Sequence, residues 1–312
     1  MLLRKIEQEK VFMNTIIRIT LFSDKPTIYT QQKIQDAFGC FDQVVKKYTR
    51  FSPKSELSVL NNSGGKPMKV SAELFMLIEY MLKLANQSNG SYDPTIIDLL
   101  ETYGYDQKSN FESLDDPNLF DKIQKLIKIR PHFSSVKLDK DNLTIELAKR
   151  QRLDLGSVGK GYAIDLAYDL LEEFPSFMIN AGGDIRTKGP KPDGGVWEIG
   201  LQRTQPPNKR VIGEELIGKI QITKGSLCGS GGWARKVKFF HHLLNPKTGM
   251  PINSISQTFT YAKTAREADA WATILFTLGI EGFKLLEKQG ISGMVVENDG
   301  SISYTGDIFS KV

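Results

Sequence analysis

The chain has 312 residues, 40% of them hydrophobic and 25% charged, with a formal net charge of +5. That composition supports a sizeable folded core and excludes a disordered or low-complexity protein. The basic residues are scattered among acidic ones, which speaks against a nucleic-acid partner, and no apolar run nears the length of a membrane span.

The first ten residues hold no long apolar segment and no lipid-attachment cysteine, so the expected location is the cytoplasm, with export as the alternative if a leader was removed. Residues 15–22 then predict a strand. The helix after it carries Ile34, Ala37, Phe38, Phe41, Val44, Val45 and Tyr48 on one side, a period near 3.6. A second helix starts at Ser71, a good N-cap, and stops at Asn89-Gly90. Tyr92-Asp93-Pro94-Thr95 follows, where Pro94 either holds Asp93 and Thr95 for ligand contact or simply starts a helix. Residues 106–133 read as polar with one amphipathic surface helix, and residues 136–147 as a hairpin leading into a strand that ends at Asp154.

From Leu153 to Asp184 the chain brackets two aspartates with glycines: LDLGSVGKGYAID, then a helix-length stretch, then FMINAGGDI. A strand turning through Gly156 and Ser157 into a helix near Lys160 would aim backbone N–H groups, a lysine and a carboxylate at one spot, a chemistry suited to phosphate and its metal ion. Ordinary turn glycines and a solvated lysine would give the same letters. Further strands are expected at residues 177–180, 196–201 and 216–223. An apolar strand then delivers His241 and His242 to an Asn-Pro turn, with the two rings on opposite faces, and histidine titrates near neutrality. Asp269 and Thr273 stand i and i+4 on a helix, so their oxygens share one face and suit a hard cation such as Mg²⁺. A buried aspartate bonded to nearby backbone is the plainer alternative. A helix at residues 282–288 and a hairpin at Asp299-Gly300 complete the order. Cys40 and Cys228 have no metal or redox spacing and are expected as free thiols. Hairpins mixed with long helices indicate an α+β class rather than βαβ alternation.

Taken in order, these segments resemble the ApbE family, flavin transferases that move FMN from FAD onto a protein threonine. The likeness runs through most of the chain. It rests on Met13-Asn14-Thr15, Arg50-Phe51-Ser52 through Leu60-Asn61, Gly90-Ser91-Tyr92-Asp93-Pro94-Thr95, residues 154–165, residues 180–185, Ser230-Gly231, residues 242–249 and residues 268–273. Four segments depart from the family pattern: Asn14 replaces a usual glycine, Cys228-Gly229-Ser230-Gly231 replaces Ala-Thr-Ser-Gly, Asn245 replaces aspartate, and Phe51 stands where some members have tyrosine. Phe51 keeps an aromatic face for stacking.

The resemblance implies a T-fold-related α+β protein, with largely antiparallel sheets, outer helices and a ligand cleft between two intimately packed lobes of one domain, residues 1–312. It implies FAD as substrate and Mg²⁺ on the pyrophosphate, held by Asp269, Thr273 and the backbone carbonyl of Ser157. His242 becomes the general base. Met13, Phe51, Tyr92, Asp93, Pro94, Asp154, Lys160, Ala181, Gly182, Gly183, Asp184 and Leu244 become the FAD contacts. The implied partner is an acceptor protein with a threonine flavinylation motif, and the chain is expected to act as a monomer. Two alternatives use the same residues: an FAD pyrophosphatase giving FMN and AMP, or a non-catalytic flavin-binding protein.

Overall fold

The computed structural model describes residues 3–108, 110–203, 216–233 and 236–310. In chain order these form β1 (Arg4–Phe12), β2 (Thr15–Ser23), α1 (Thr27–Tyr48), α2 (Glu56–Asn61), β3 (Met68–Lys69), α3 (Ala72–Gln87), α4 (Ile97–Thr102), α5 (Leu119–Ile129), β4 (Lys137–Asp139) and β5 (Thr144–Glu146). Then come α6 (Gly159–Leu170), β6 (Ser176–Ala181), β7 (Asp184–Lys188), β8 (Trp197–Gln202), β9 (Leu216–Ile222), β10 (Gly225–Gly231), β11 (Ile255–Ala262), α7 (Ala265–Leu278), α8 (Phe283–Lys288), β12 (Ser292–Glu297) and β13 (Ile302–Thr305). The class is α+β, and the strand pairings are antiparallel. Among the described residues no helix is long and apolar enough to cross a membrane.

The chain divides into two compact units, one of Met1–Val45, Ser157–Trp233 and Ser254–Val312, the other of Lys46–Gly156 and Ala234–Asn253. The first unit is built on an eight-stranded sheet in the order β1-β2-β6-β7-β10-β11-β12-β13. Period-two alternation explains its interior strands: in β2, Ile17, Ile19 and Leu21 point inward and are fully buried. β1 has no such face. Its sequence RKIEQEKVF is exposed or half-exposed throughout, which is why it reads poorly as a strand.

β11 sorts its two faces by chemistry. Phe259 joins a core with Ile185, Leu227 and the β8–β9 hairpin residues Trp197, Ile199, Leu201, Ile220 and Ile222. On the other face Thr258 and Thr260 donate hydroxyl hydrogen bonds to the α7 carbonyls of Ala272 (2.8 Å) and Ala268 (2.6 Å). The α7 N-terminus is held as firmly. Thr264 accepts from the Glu267 N–H at 3.3 Å, and the Asp165 carboxylate on α6 accepts from Ala265 N–H (2.8 Å) and Arg266 N–H (3.0 Å). Three first-turn donors that a helix leaves unpaired are thereby used.

In the second unit α3 begins as its sequence predicts, with Ser71 accepting from the Leu74 N–H at 3.2 Å. Leu99, Leu100, Tyr103, Leu119, Ile123 and Leu244 form an apolar core cluster there, and the unit also holds the small sheet β3-β5-β4. Two expected strands do not form. Residues 151–155 are irregular because their backbone bonds go elsewhere: the Asn61 side chain clamps Leu153, accepting from its N–H at 2.8 Å and donating to its carbonyl at 2.9 Å, and the Asp154 N–H donates to Pro94 O at 2.8 Å. Residues 239–244 are also irregular. Lys238 at φ 54° turns the chain tightly, bridging Val237 to Phe240 and leaving Phe239 82% exposed.

Candidate functional site

Within the first unit the sheet sets the site. Ile17 lies opposite Ala181 in the β2–β6 pairing, so the Met13-Asn14 turn and the Gly182-Gly183 turn stand at the same end. Both turns need left-handed backbone, with φ of 51° and 58° in the first and 63° and 100° in the second. Gly182 is needed twice over, since a Cβ there would fall 2.2 Å from Thr15 Oγ1. The Asn180 side chain accepts from the Gly183 N–H at 2.9 Å. Thr15, Ile16, Arg18, Asn180, Gly182 and Gly183 line a shallow cavity of about 290 Å³ at this place.

Asp184 follows immediately and turns inward. One carboxylate oxygen accepts from the Gly229 N–H at 3.1 Å and the other lies 2.5 Å from Lys160 Nζ in the first turn of α6. Asp269 on α7 accepts from the Gly161 N–H at 3.0 Å. Burial works against the Lys160 charge, yet Asp184 and Asp269 together hold its ammonium well above the ordinary lysine range. Asp269 moves up as well, chiefly through burial and then through Asp184, against the pull of Lys160 and the Gly161 N–H. Two buried carboxylates therefore crowd one ammonium, the arrangement that pushes Asp269 up to about 8. Thr273, one turn after Asp269, places its hydroxyl 3.4 Å from both Asp269 O and Ser230 Oγ.

The donors fit a hard cation. A carboxylate and a hydroxyl on one helix face, with the Ser157 carbonyl expected beside them, are all oxygens. Among the described residues no group of three or more His, Cys, Asp and Glu could hold a metal. Mg²⁺ suits so sparse a set, because it binds through one or two carboxylates and fills its shell with water and substrate phosphate. A softer, fully protein-caged metal does not suit it.

The α6–α7 crossing that brings these groups together depends on Gly161. A Cβ there would meet Ala265 O at 2.3 Å. The buried Cys228 sits in the same neighbourhood, its Sγ 3.6 Å from Ala265 O, and burial pushes its thiol well above the usual range. It is a free thiol, like Cys40.

The second unit holds the remaining expected residues. Phe51 is 45% exposed and stacks on the Arg50 guanidinium, 4.4 Å from ring centroid to Cζ. Asp154 is 3.2 Å from Arg50 Nε and accepts from the Gly156 N–H at 3.1 Å. Asp93 uses its oxygens inside the protein: one accepts from the Thr95 N–H (2.8 Å) and hydroxyl (2.7 Å), the other pairs with Arg130. It fixes the turn that holds Pro94, which is buried like Tyr92 beside it. His241 is buried, with Nε2 3.0 Å from Ile252 O. His242 is half-buried, and the Tyr105 ring meets it edge-on at 6.1 Å between centroids. Leu244 is a core residue. A separate cavity of about 540 Å³, lined by residues 61–65, 98 and 147–152, touches none of the expected site residues.

The ApbE family model matches residues 13–306. The chain belongs to the ApbE family. Curated relatives include the FAD:protein FMN transferase of Haemophilus influenzae, 24% identical over 96% of this chain and 89% of that one. The FAD:protein FMN transferase of Klebsiella pneumoniae is 28% identical over 77% and 74%. Among solved structures, an ApbE protein from Thermotoga maritima superposes with a TM-score of 0.85 at 25% identity, covering 97% of both chains. The flavinyl transferase ApbE of Pseudomonas stutzeri gives 0.81 at 21% identity, over 98% and 96%, and supports the fold. Within the ApbE frame, Arg50, Asn61, Asp165 and Arg130 carry contacts to the site that the sequence reading left without a role. Arg50, Asn61 and Asp165 lie inside the motifs that carry the resemblance and Arg130 lies outside them, yet each has its partner 37 or more residues away in the chain, beyond the reach of any local pattern.

Proposed function

We propose that this protein transfers FMN from FAD to a threonine of an acceptor protein, releasing AMP. The observation that carries the reading is the Lys160–Asp184–Asp269 cluster, its two carboxylates buried, with Thr273 one turn on: hard oxygens for a metal ion and one ammonium beside them, as a metal-bound pyrophosphate needs. Asp269, Thr273 and the Ser157 carbonyl would hold Mg²⁺, which supplies neutralisation of charge on the phosphoryl oxygens. Lys160, kept charged by its two carboxylates, adds a fixed positive contact to the flavin nucleotide. The Gly182-Gly183 turn lets substrate approach the backbone, and Phe51 offers an aromatic platform.

His242 takes the proton from the acceptor threonine hydroxyl. The threonine oxygen then bonds to the flavin-side phosphorus, the phosphoanhydride bond to AMP breaks, and FMN stays on the threonine as a phosphoester. The same chemistry with water as acceptor is FAD hydrolysis. The half-exposed setting of His242, against the buried His241, favours His242 as the base.

The test is incubation with FAD, Mg²⁺ and a threonine-containing acceptor peptide, followed by weighing the peptide. A gain equal to one FMN is expected with the wild type. Asp269→Ala and His242→Ala should remove it, the latter by about 10² to 10⁴ in rate. FMN release without peptide gain would replace transfer by hydrolysis. Full activity of folded Asp269→Ala would end the metal assignment.

A further inference from the structure

Arg50 makes more contacts to the candidate site than any role given to it so far explains. All of them lie in the second unit. Its guanidinium is the floor beneath the exposed Phe51 ring. Nε stands 3.2 Å from Asp154 Oδ1, Nη1 donates to Glu101 at 3.5 Å, and Nη2 donates to the Tyr105 carbonyl at 2.5 Å. Tyr105 in turn lays its ring edge-on to His242 and sends its hydroxyl to Phe240 O at 3.4 Å, across the turn that precedes the histidines. One side chain, 11% exposed, thus reaches the expected stacking surface, the expected nucleotide-side carboxylate and the residue that abuts the expected base.

We infer that Arg50 is a positioning residue, which fixes Phe51 and Asp154 for the dinucleotide and, through Tyr105, orients the His242 imidazole. The inference rests on the reading above of FAD and His242. The planar fork is what the task requires. Arginine directs several N–H donors in fixed directions while presenting a flat cationic face to an aromatic ring, and lysine offers a single point charge that can satisfy one of these partners at a time. The neighbouring Arg152 gives the contrast. It pairs with Asp98 and also with Glu101, at 3.1 and 2.6 Å, so it shares a carboxylate with Arg50. Among the described residues its guanidinium bonds only to those two acids.

The experiment compares Arg50→Lys and Arg50→Met with Arg152→Met in the full chain, measuring thermal midpoint, FAD KM and kcat for FMN transfer to the threonine peptide. Both Arg50 variants should raise the FAD KM and lower kcat by about 10²-fold, the loss that about 1 Å of misplacement produces. Arg152→Met should lower the thermal midpoint at least as far while KM and kcat stay within about twofold. Tyr105→Leu keeps the carbonyl that Arg50 binds but removes the ring beside His242, so it should lower kcat and leave FAD KM unchanged. It serves equally if the Arg50 variants fold poorly. Rescue by Arg50→Lys, matching kinetic losses in Arg152→Met, or an unaltered kcat in Tyr105→Leu each overturns the inference. An inactive His242→Ala beside a wild-type Arg50→Lys sinks the inference alone, whereas a fully active His242→Ala sinks the functional reading with it.

Discussion

Replacing Gly161 by alanine tests the α6–α7 crossing on which the buried charge cluster depends. The new Cβ would stand 2.3 Å from Ala265 O and 2.8 Å from Arg266 Cα, where ordinary contact begins at 3.4 Å. Both neighbours are backbone, so no flexible side chain can swing aside, and the helices must part by about 1 Å. Alanine favours the helix by roughly 1 kcal/mol over glycine. Overpacking costs about 1–3 kcal/mol, and stretching the Gly161 N–H bond to the Asp269 carboxylate forfeits part of an interaction worth about 1.5–3 kcal/mol. The clash wins. A net loss of about 2 kcal/mol lowers the thermal midpoint by roughly 3 °C in a chain of this size. Activity should suffer more than stability, because about 1 Å of displacement at Asp269 and Thr273 costs on the order of 10²-fold in rate. Thermal melts and peptide mass shifts read the two effects. A Gly161→Ala protein as stable and as fast as the wild type would show that the crossing is loose and that the cluster is not held by it.

Two further outcomes follow from the buried groups. Burial holds the His241 imidazole below its ordinary value, against the smaller help of the Ile252 carbonyl. The unfolded chain therefore takes up a proton near pH 6.5 that the folded chain refuses, so this contribution to stability is intact above about pH 6.5 and is lost as pH falls towards the folded value. Urea melts at about pH 7.5 and about pH 5 should show a smaller acid loss in His241→Gln than in the wild type, and an equal loss would remove His241 as its source. His241→Ala should also retain FMN transfer if it folds. For the thiols, burial first and then Asp169 raise Cys40 to about 11, and burial raises Cys228 well above the ordinary thiol range. The native protein at neutral pH should resist iodoacetamide at both positions and react at both once unfolded, as mass spectrometry would reveal. Rapid native alkylation of Cys228 would mean that the core around α7 opens.

What could be read from the letters was whatever a local rule governs. The alternation of Ile17, Ile19 and Leu21 announced β2, Ser71 announced the start of α3, and the i, i+4 spacing of Asp269 and Thr273 survived as a shared face of α7. The charged β1 was illegible because neither face is buried, so no apolar period exists to detect. Phe239-Phe240-His241-His242 imitated a strand, although the left-handed Lys238 folds it into a turn. The expected strand into Asp154 failed for a different reason: Asn61 and Pro94 take the bonds that a neighbouring strand would have made. At the site, the residue types were visible and their pairings were not. The resemblance makes Asp184 an FAD contact, and nothing in the letters says that it turns inward onto Lys160 and Gly229.

The outer strand of the large sheet has a consequence for the life of the molecule in a concentrated solution. β1 closes one end of an eight-strand array, and among the described residues no strand pairs with its outer edge, the kind of edge whose backbone groups invite a second chain to add on as another strand. Arg4, Lys5, Glu7, Glu9 and Lys10 stud that edge, and Glu9 and Glu7 are drawn across to Arg18 and Thr20 on β2. An incoming strand would have to strip water from these charges or meet its own copy of them. Fibril growth from this side is therefore discouraged by the same run of letters that concealed the strand from view.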